Sequence, residues 1–136
     1  FDGDDLLMRK TIVIGAVVAA CLSSAGHASM TVDEYLRVEE GKMENIDPAL
    51  NVVYVWGVMD ALGVFDDALR ENLGQTLFCV PPDAPALVVE GFKEKIDQAI
   101  EDARKSVIDF DAYKQEMTIG GVGLQVLSEI YSCHKE

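Results

Sequence analysis

The sequence predicts an all-α fold, a compact bundle of four to five helices stapled by one disulfide. Apolar residues recur mostly at three- and four-residue intervals, and several segments open on residues that commonly cap helices. Only two cysteines, Cys79 and Cys133, remain once an N-terminal export signal is set aside. A chain of 136 residues is the length of one domain.

The first 28 residues have the organisation of a secretory signal. Met8-Arg9-Lys10 is basic, the segment Thr11–Leu22 is apolar, and Gly26-His27-Ala28 offers a small-x-small cleavage pattern. We therefore predict that 1–28 are upstream residues plus a signal peptide, and that 29–136 form a single domain in the periplasm. A competing interpretation is a lipoprotein signal ending at Cys21, which would then carry a lipid anchor.

The mature chain is strongly acidic. Removing residues 1–28 removes three of 24 acidic and two of 11 basic residues, which leaves 21 against 9. Such a surface repels phosphate backbones, so nucleic acid is excluded as a partner and a basic protein is favoured. The alternative is that the charge only keeps a small domain in solution. No apolar run after residue 28 is long enough to span a membrane.

Two helices are predicted in the first half of this domain. Thr31-Val32-Asp33-Glu34 fits a capping box, so a short helix begins there and ends near Gly41. Asp47-Pro48 opens a central helix that extends to about Glu71, with Gly74 placed to end it. Its residues 52–63 are apolar on nearly every side, which predicts that other elements cover it. Gly57 in its interior predicts a close helix crossing.

The second half predicts a connector and two further helices. Pro81-Pro82 cannot continue a helix, so the segment around Cys79 is expected to be extended. Asp83 is expected to cap the next helix, which is amphipathic as far as Val107. After Asp109 or Asp111 the chain restarts. Either the last helix begins only near Gly121, or one helix with a glycine-weakened first half ends at Cys133, which is the interpretation we favour.

The sequence predicts no reaction, metal site or cofactor. Outside the cytoplasm an isolated cysteine pair favours a Cys79–Cys133 disulfide over zinc, for which His134 would be the only histidine ligand. His134 is also a poor partner for a nucleophile, and the glycines at 120–123 lack the context of a phosphate loop. Asp60 is the one acid within the apolar helix, and either hydrogen-bonds to a neighbouring element or acts as a functional carboxylate.

These residues together resemble the type VI secretion amidase-immunity (Tai-like) family. The resemblance rests on the export signal, Tyr54-x-x-Gly57-x-x-Asp60, Phe78-Cys79-x-Pro81 and a final small-residue helix ending at Cys133. It implies an all-helical periplasmic protein, often a homodimer, that binds and blocks a peptidoglycan amidase effector. It also implies that Tyr54, Gly57 and Asp60 form a structural core motif. The chain departs from the family at Ser132, where a proline is common, and at the acidic 109–111.

A second resemblance belongs to another functional class. Glu34-Tyr35-Leu36 is similar to the opening helix of HdeA-type acid-stress chaperones, which are also small, exported, helical and linked by one disulfide. That resemblance implies a chaperone that exposes apolar surface when acid neutralises its carboxylates. The position of Cys133 at the end of the chain favours the immunity family.

Overall fold

The computed structural model describes residues 29–133, and these form five helices, which confirms the predicted all-α class. In chain order they are α1 (Val32–Glu39), α2 (Leu50–Leu73), α3 (Val89–Ser106), α4 (Phe110–Glu116) and α5 (Ile119–Ile130). Helices α2, α3 and α5 pack on one another, and α1 packs against α2 and α4. The predicted signal peptide, including Cys21, and His134 lie outside the described residues.

Helix α1 begins as the sequence predicts. Thr31 Oγ1 accepts the Glu34 N–H at 3.2 Å, and the Glu34 carboxylate accepts the Thr31 N–H at 2.9 Å. Both ends of the capping box are therefore made. The buried face of the helix consists of Val32, Tyr35 and Val38.

Helix α2 begins two residues later than predicted and ends as expected. The Asp47 carboxylate accepts the Ala49 N–H at 2.9 Å, so Asp47 and Pro48 form a turn ahead of the helix. Gly74 closes it in the left-handed conformation with φ of 63°. The prediction that other elements cover the helix all round is wrong, because one half of its surface faces solvent within the described part of the chain.

Helix α3 begins at Val89, six residues after the predicted cap. Ala84 N–H donates to the Pro81 carbonyl at 3.0 Å, so Pro82 and Asp83 occupy the middle of a turn. Proline suits the second position of such a turn, and Asp83 is therefore not available as a helix cap. From Val89 onward the amphipathic pattern is confirmed, with Phe92, Ile96, Ile100 and Ala103 buried.

The last part of the chain forms two helices, so the favoured single helix is wrong. Thr118 starts α5 by accepting the Gly121 N–H on its hydroxyl at 3.1 Å. The preceding Met117 is extended, and its carbonyl accepts the Val32 N–H at 2.9 Å. This bond and a second one, from Ile119 N–H to the Met30 carbonyl, join the break to the start of α1.

The close helix crossing lies at Gly123, not at Gly57. A Cβ atom on Gly123 would stand 3.0 Å from Val58 Cγ1 and 3.1 Å from Phe92 Cζ, whereas one on Gly57 would meet nothing within 4 Å. Gly123 is buried where α5 meets α2 and α3. The absence of a side chain there lets the three helices surround one core, whose largest members include Tyr35, Phe92, Ile96 and Ile119.

Candidate protein interaction surface

The exposed half of α2 carries a row of apolar residues. Leu50, Val53, Gly57, Ala61, Val64 and Ala68 follow one another at steps of three or four, so they line one side of the helix. Trp56 flanks this row on one side and Phe65 on the other. We call these eight residues together with Asp60 the α2 face.

The largest side chains of the α2 face are well exposed within the described part of the chain. Trp56 is 60% exposed, Val64 63% and Phe65 54%. Single exposed apolar residues are ordinary on protein surfaces, but a contiguous set with two aromatic rings marks a contact surface. The face is therefore the strongest candidate for a functional site between residues 29 and 133.

The structure does not bring Tyr54, Gly57 and Asp60 together as a core motif. Tyr54 is half-buried, and its hydroxyl accepts the Met30 N–H at 2.9 Å. Gly57 and Asp60 are both exposed. Each step of three residues turns the chain about 60° short of a full helical turn, so Asp60 lies about 120° around the axis from Tyr54. That rotation carries the second and third members of the predicted motif out of the core.

Asp60 is an isolated charge on the α2 face. Its neighbours at three and four residues in either direction are Trp56, Gly57, Gly63 and Val64, and none of them is charged. Its carboxylate makes no hydrogen bond or ion pair with any other residue between 29 and 133. Of the two alternatives that the sequence left open, a hydrogen bond to a neighbouring element is therefore wrong.

The buried acid of α2 is Asp66. It accepts the Leu77 N–H at 2.6 Å and the Thr76 hydroxyl at 2.8 Å, and Arg70 approaches it at 3.2 Å. Burial opposes its ionisation, but these hydrogen bonds outweigh it and hold the pKa of the Asp66 carboxyl below its ordinary value. Asp66 thereby fixes the turn that leads from α2 to Cys79.

The predicted disulfide between Cys79 and Cys133 is present. The two Cα atoms are 5.0 Å apart, and Cys79 N–H donates to the Tyr131 carbonyl at 2.7 Å. The connector after α2 is thus joined to the end of α5. An open groove of about 310 Å³ lies beside the bridge, but the Asp66 carboxylate in its lining is already fully hydrogen-bonded.

A second polar cluster links α1, α2 and α3. The Tyr35 hydroxyl donates to Asp97 at 2.6 Å, Lys93 contacts Asp97 and Glu39 at 2.9 and 2.8 Å, and Asn51 donates to Glu39 at 2.9 Å. Burial and the bond to Asp97 raise the pKa of Tyr35 well above its ordinary value. Its hydroxyl therefore stays protonated as the donor to Asp97, and the cluster joins the three helices through hydrogen bonds and ion pairs.

Residues 29–133 contain no group of three or more histidine, cysteine or carboxylate side chains arranged to hold a metal ion. In the same range no helix combines the length and the apolarity that crossing a membrane requires.

No protein-family model, curated protein or solved structure matches the chain. The resemblances to amidase-immunity proteins and to acid-stress chaperones therefore stay predictions, as do the absence of catalysis and of a cofactor.

The sequence singled out the stretch 52–63, which contains part of the α2 face, but predicted that other elements cover it. The number of helices available to cover this stretch could have revealed its exposure. A stretch such as 52–63 that is apolar on nearly every side needs partners around its whole circumference, and the four other helices within residues 29–133 offer too little surface for that. Asp66 gave no such signal, because its pattern with Arg70 is that of an ordinary exposed helical pair.

Proposed function

We propose that this protein is a periplasmic binding protein that neutralises a peptidoglycan amidase delivered by type VI secretion. The observation that carries the proposal is the exposed apolar face of α2, with Trp56 60% exposed. Tryptophan is among the residues most enriched in the energetically dominant positions of protein interfaces. A rigid 24-residue helix presents it, so little ordering is needed when a partner binds.

Two further features support an extracytoplasmic inhibitor. The Cys79–Cys133 bridge suits an oxidising compartment, which is where peptidoglycan and its amidases are found. The mature chain, with 21 acidic against 9 basic residues, attracts a basic partner and speeds its association at low salt. The resemblance in sequence supplies the class of partner.

The experiment first searches the genes that flank this one for a secreted peptidoglycan amidase and then co-expresses that amidase with this protein in the periplasm. We expect this protein to restore growth that the amidase alone abolishes, and to form a complex that survives gel filtration. An amidase inactivated at its nucleophile serves as the toxicity control. Continued lysis despite equal expression of both proteins would contradict the proposal.

The acid-stress chaperone is the second candidate, and the same exposed face favours it because such proteins bind clients through apolar surface. The two candidates differ in their dependence on pH. A chaperone of this class suppresses aggregation of unrelated proteins only in acid, whereas an inhibitor binds one enzyme at neutral pH. Suppression of aggregation at pH 2–3, without any binding of the amidase at pH 7, would replace the first proposal by the second.

A further inference from the structure

The α2 face is large enough to form the centre of an interface. Aromatic side chains present about 150–250 Å² each, so exposed fractions of 60% for Trp56 and 54% for Phe65 leave roughly 200 Å² of aromatic surface. Val53 and Val64, at 60% and 63%, raise the exposed apolar area to the order of 400 Å². That is about half of the roughly 800 Å² which each partner contributes to a stable interface.

The charge pattern of the face disfavours a second copy of this chain as its occupant. Two copies would pair about a two-fold axis, and pairing over the full length of α2 places that axis near its middle, next to Asp60. The two Asp60 carboxylates would then face each other among apolar side chains, with no cation of either copy at the positions three and four residues away. Like charges in such surroundings oppose association.

The same pattern favours a partner that brings a cation. A carboxylate that loses water without gaining a partner is costly, and Asp60 has no internal partner within residues 29–133. Covering Trp56 and Val64 necessarily desolvates Asp60, because all three lie on adjacent turns of one helix side. We infer that the α2 face receives a protein surface on which apolar side chains surround a single arginine or lysine, and that this cation pairs with Asp60. The identity of the partner rests on the proposed function, but its chemistry does not.

The chain offers a selective probe, because Trp56 is its only tryptophan. Protein grown with 5-fluorotryptophan gives one ¹⁹F NMR signal, which comes from the side of the face one helical turn from Asp60, and unlabelled partners contribute none. We expect the unlabelled amidase of the co-expression experiment to shift that signal. Trp56→Ala should weaken binding about 30-fold or more, and Asp60→Asn about tenfold.

Matched controls are available outside the face. Glu94→Gln removes an exposed helical carboxylate from α3, and Ile108→Ala removes a fully exposed apolar side chain from the loop before α4. Both should leave the dissociation constant within about threefold of the wild-type value. Circular dichroism of each variant verifies that it is folded.

The outcomes separate this inference from the proposed function. The inference is overturned, and the proposed function stands, if the amidase binds without moving the ¹⁹F signal and with unchanged affinity for Trp56→Ala and Asp60→Asn. If the amidase does not bind, two designed helical peptides replace it, both with a leucine face and with either arginine or glutamate at its centre. Preferential binding of the arginine peptide, lost in Asp60→Asn, supports the inference although the proposed function has failed. Equal binding of both peptides overturns it.

The protein alone provides the remaining test. A ¹⁹F signal that shifts with protein concentration, together with a dimer in sedimentation that Asp60→Asn strengthens, would show that a second copy covers the face. That result would overturn the inference. We expect one signal that is independent of concentration.

Discussion

Two glycine-to-alanine substitutions should change stability in opposite directions. Gly57 and Gly123 both lie inside helices, where alanine is favoured over glycine by about 1 kcal/mol. They differ in their surroundings, because a Cβ on Gly57 meets nothing within 4 Å, whereas one on Gly123 lies 3.0 Å from Val58 and 3.1 Å from Phe92. Gly57→Ala should therefore raise the free energy of unfolding by up to about 1 kcal/mol.

Gly123→Ala adds the same helix propensity and an overpacking penalty of about 1–3 kcal/mol. The sign depends on whether the two neighbours can move. Val58 is β-branched and held in one strongly preferred rotamer within α2, and Phe92 is fully buried. Neither can withdraw without disturbing the core, so we expect a net loss of about 1 kcal/mol.

The assay is urea unfolding followed by circular dichroism, with thermal melting as a second measure. The two variants should differ by about 2 kcal/mol, which corresponds to melting temperatures roughly 8–16 °C apart for a domain of this size. If Gly123→Ala stabilised the protein as much as Gly57→Ala does, the close approach of α5 to α2 and α3 would be refuted. A loss of stability in Gly57→Ala would show instead that the exposed side of α2 is covered.

Three further substitutions test the supports of the fold. Cys79→Ser opens a loop with a sequence separation of 54 residues, so we expect the free energy of unfolding to fall by about 4 kcal/mol. Dithiothreitol should lower the stability of the wild type by the same amount and leave that of the variant unchanged. Asp66→Asn should cost about 2 kcal/mol at pH 7. The pKa of Asp66 in the folded protein is lowered. The stabilisation by its charge is therefore complete above about pH 4 and is lost as the pH falls through the folded pKa. The difference in free energy of unfolding between Asp66→Asn and the wild type should therefore shrink in acid. An equal difference at pH 7 and pH 3 would argue against a role for the charge. Thr118→Ala removes the cap on the Gly121 N–H and should cost about 1 kcal/mol in urea unfolding, whereas Thr118→Ser should be nearly neutral.

The sequence by itself determined the class of the fold, the positions of α1 and α2, the body of α3 and the disulfide. These features depend on local chemistry. The Thr31 capping box needs only two residues three apart, the body of α3 needs only its own apolar spacing, and Gly74 needs only the freedom to adopt a positive φ. A single cysteine pair has one possible intramolecular partner arrangement, so Cys79–Cys133 followed once export was assumed.

Tertiary structure decided where α2 is exposed, where the chain breaks before α5 and which acid is buried. Each depends on partners far away in sequence. Thr118 starts a new helix because its flanking residues hydrogen-bond to Met30 and Val32 at the start of α1. Asp66 is buried because the turn at Thr76 and Leu77 folds back over it, and Asp60 is exposed because α3 and α5 pack on the other side of α2. A stretch that is apolar on nearly every side does not indicate which side its neighbours will occupy. Burial depends on how several elements pack together and not on the sequence of one of them.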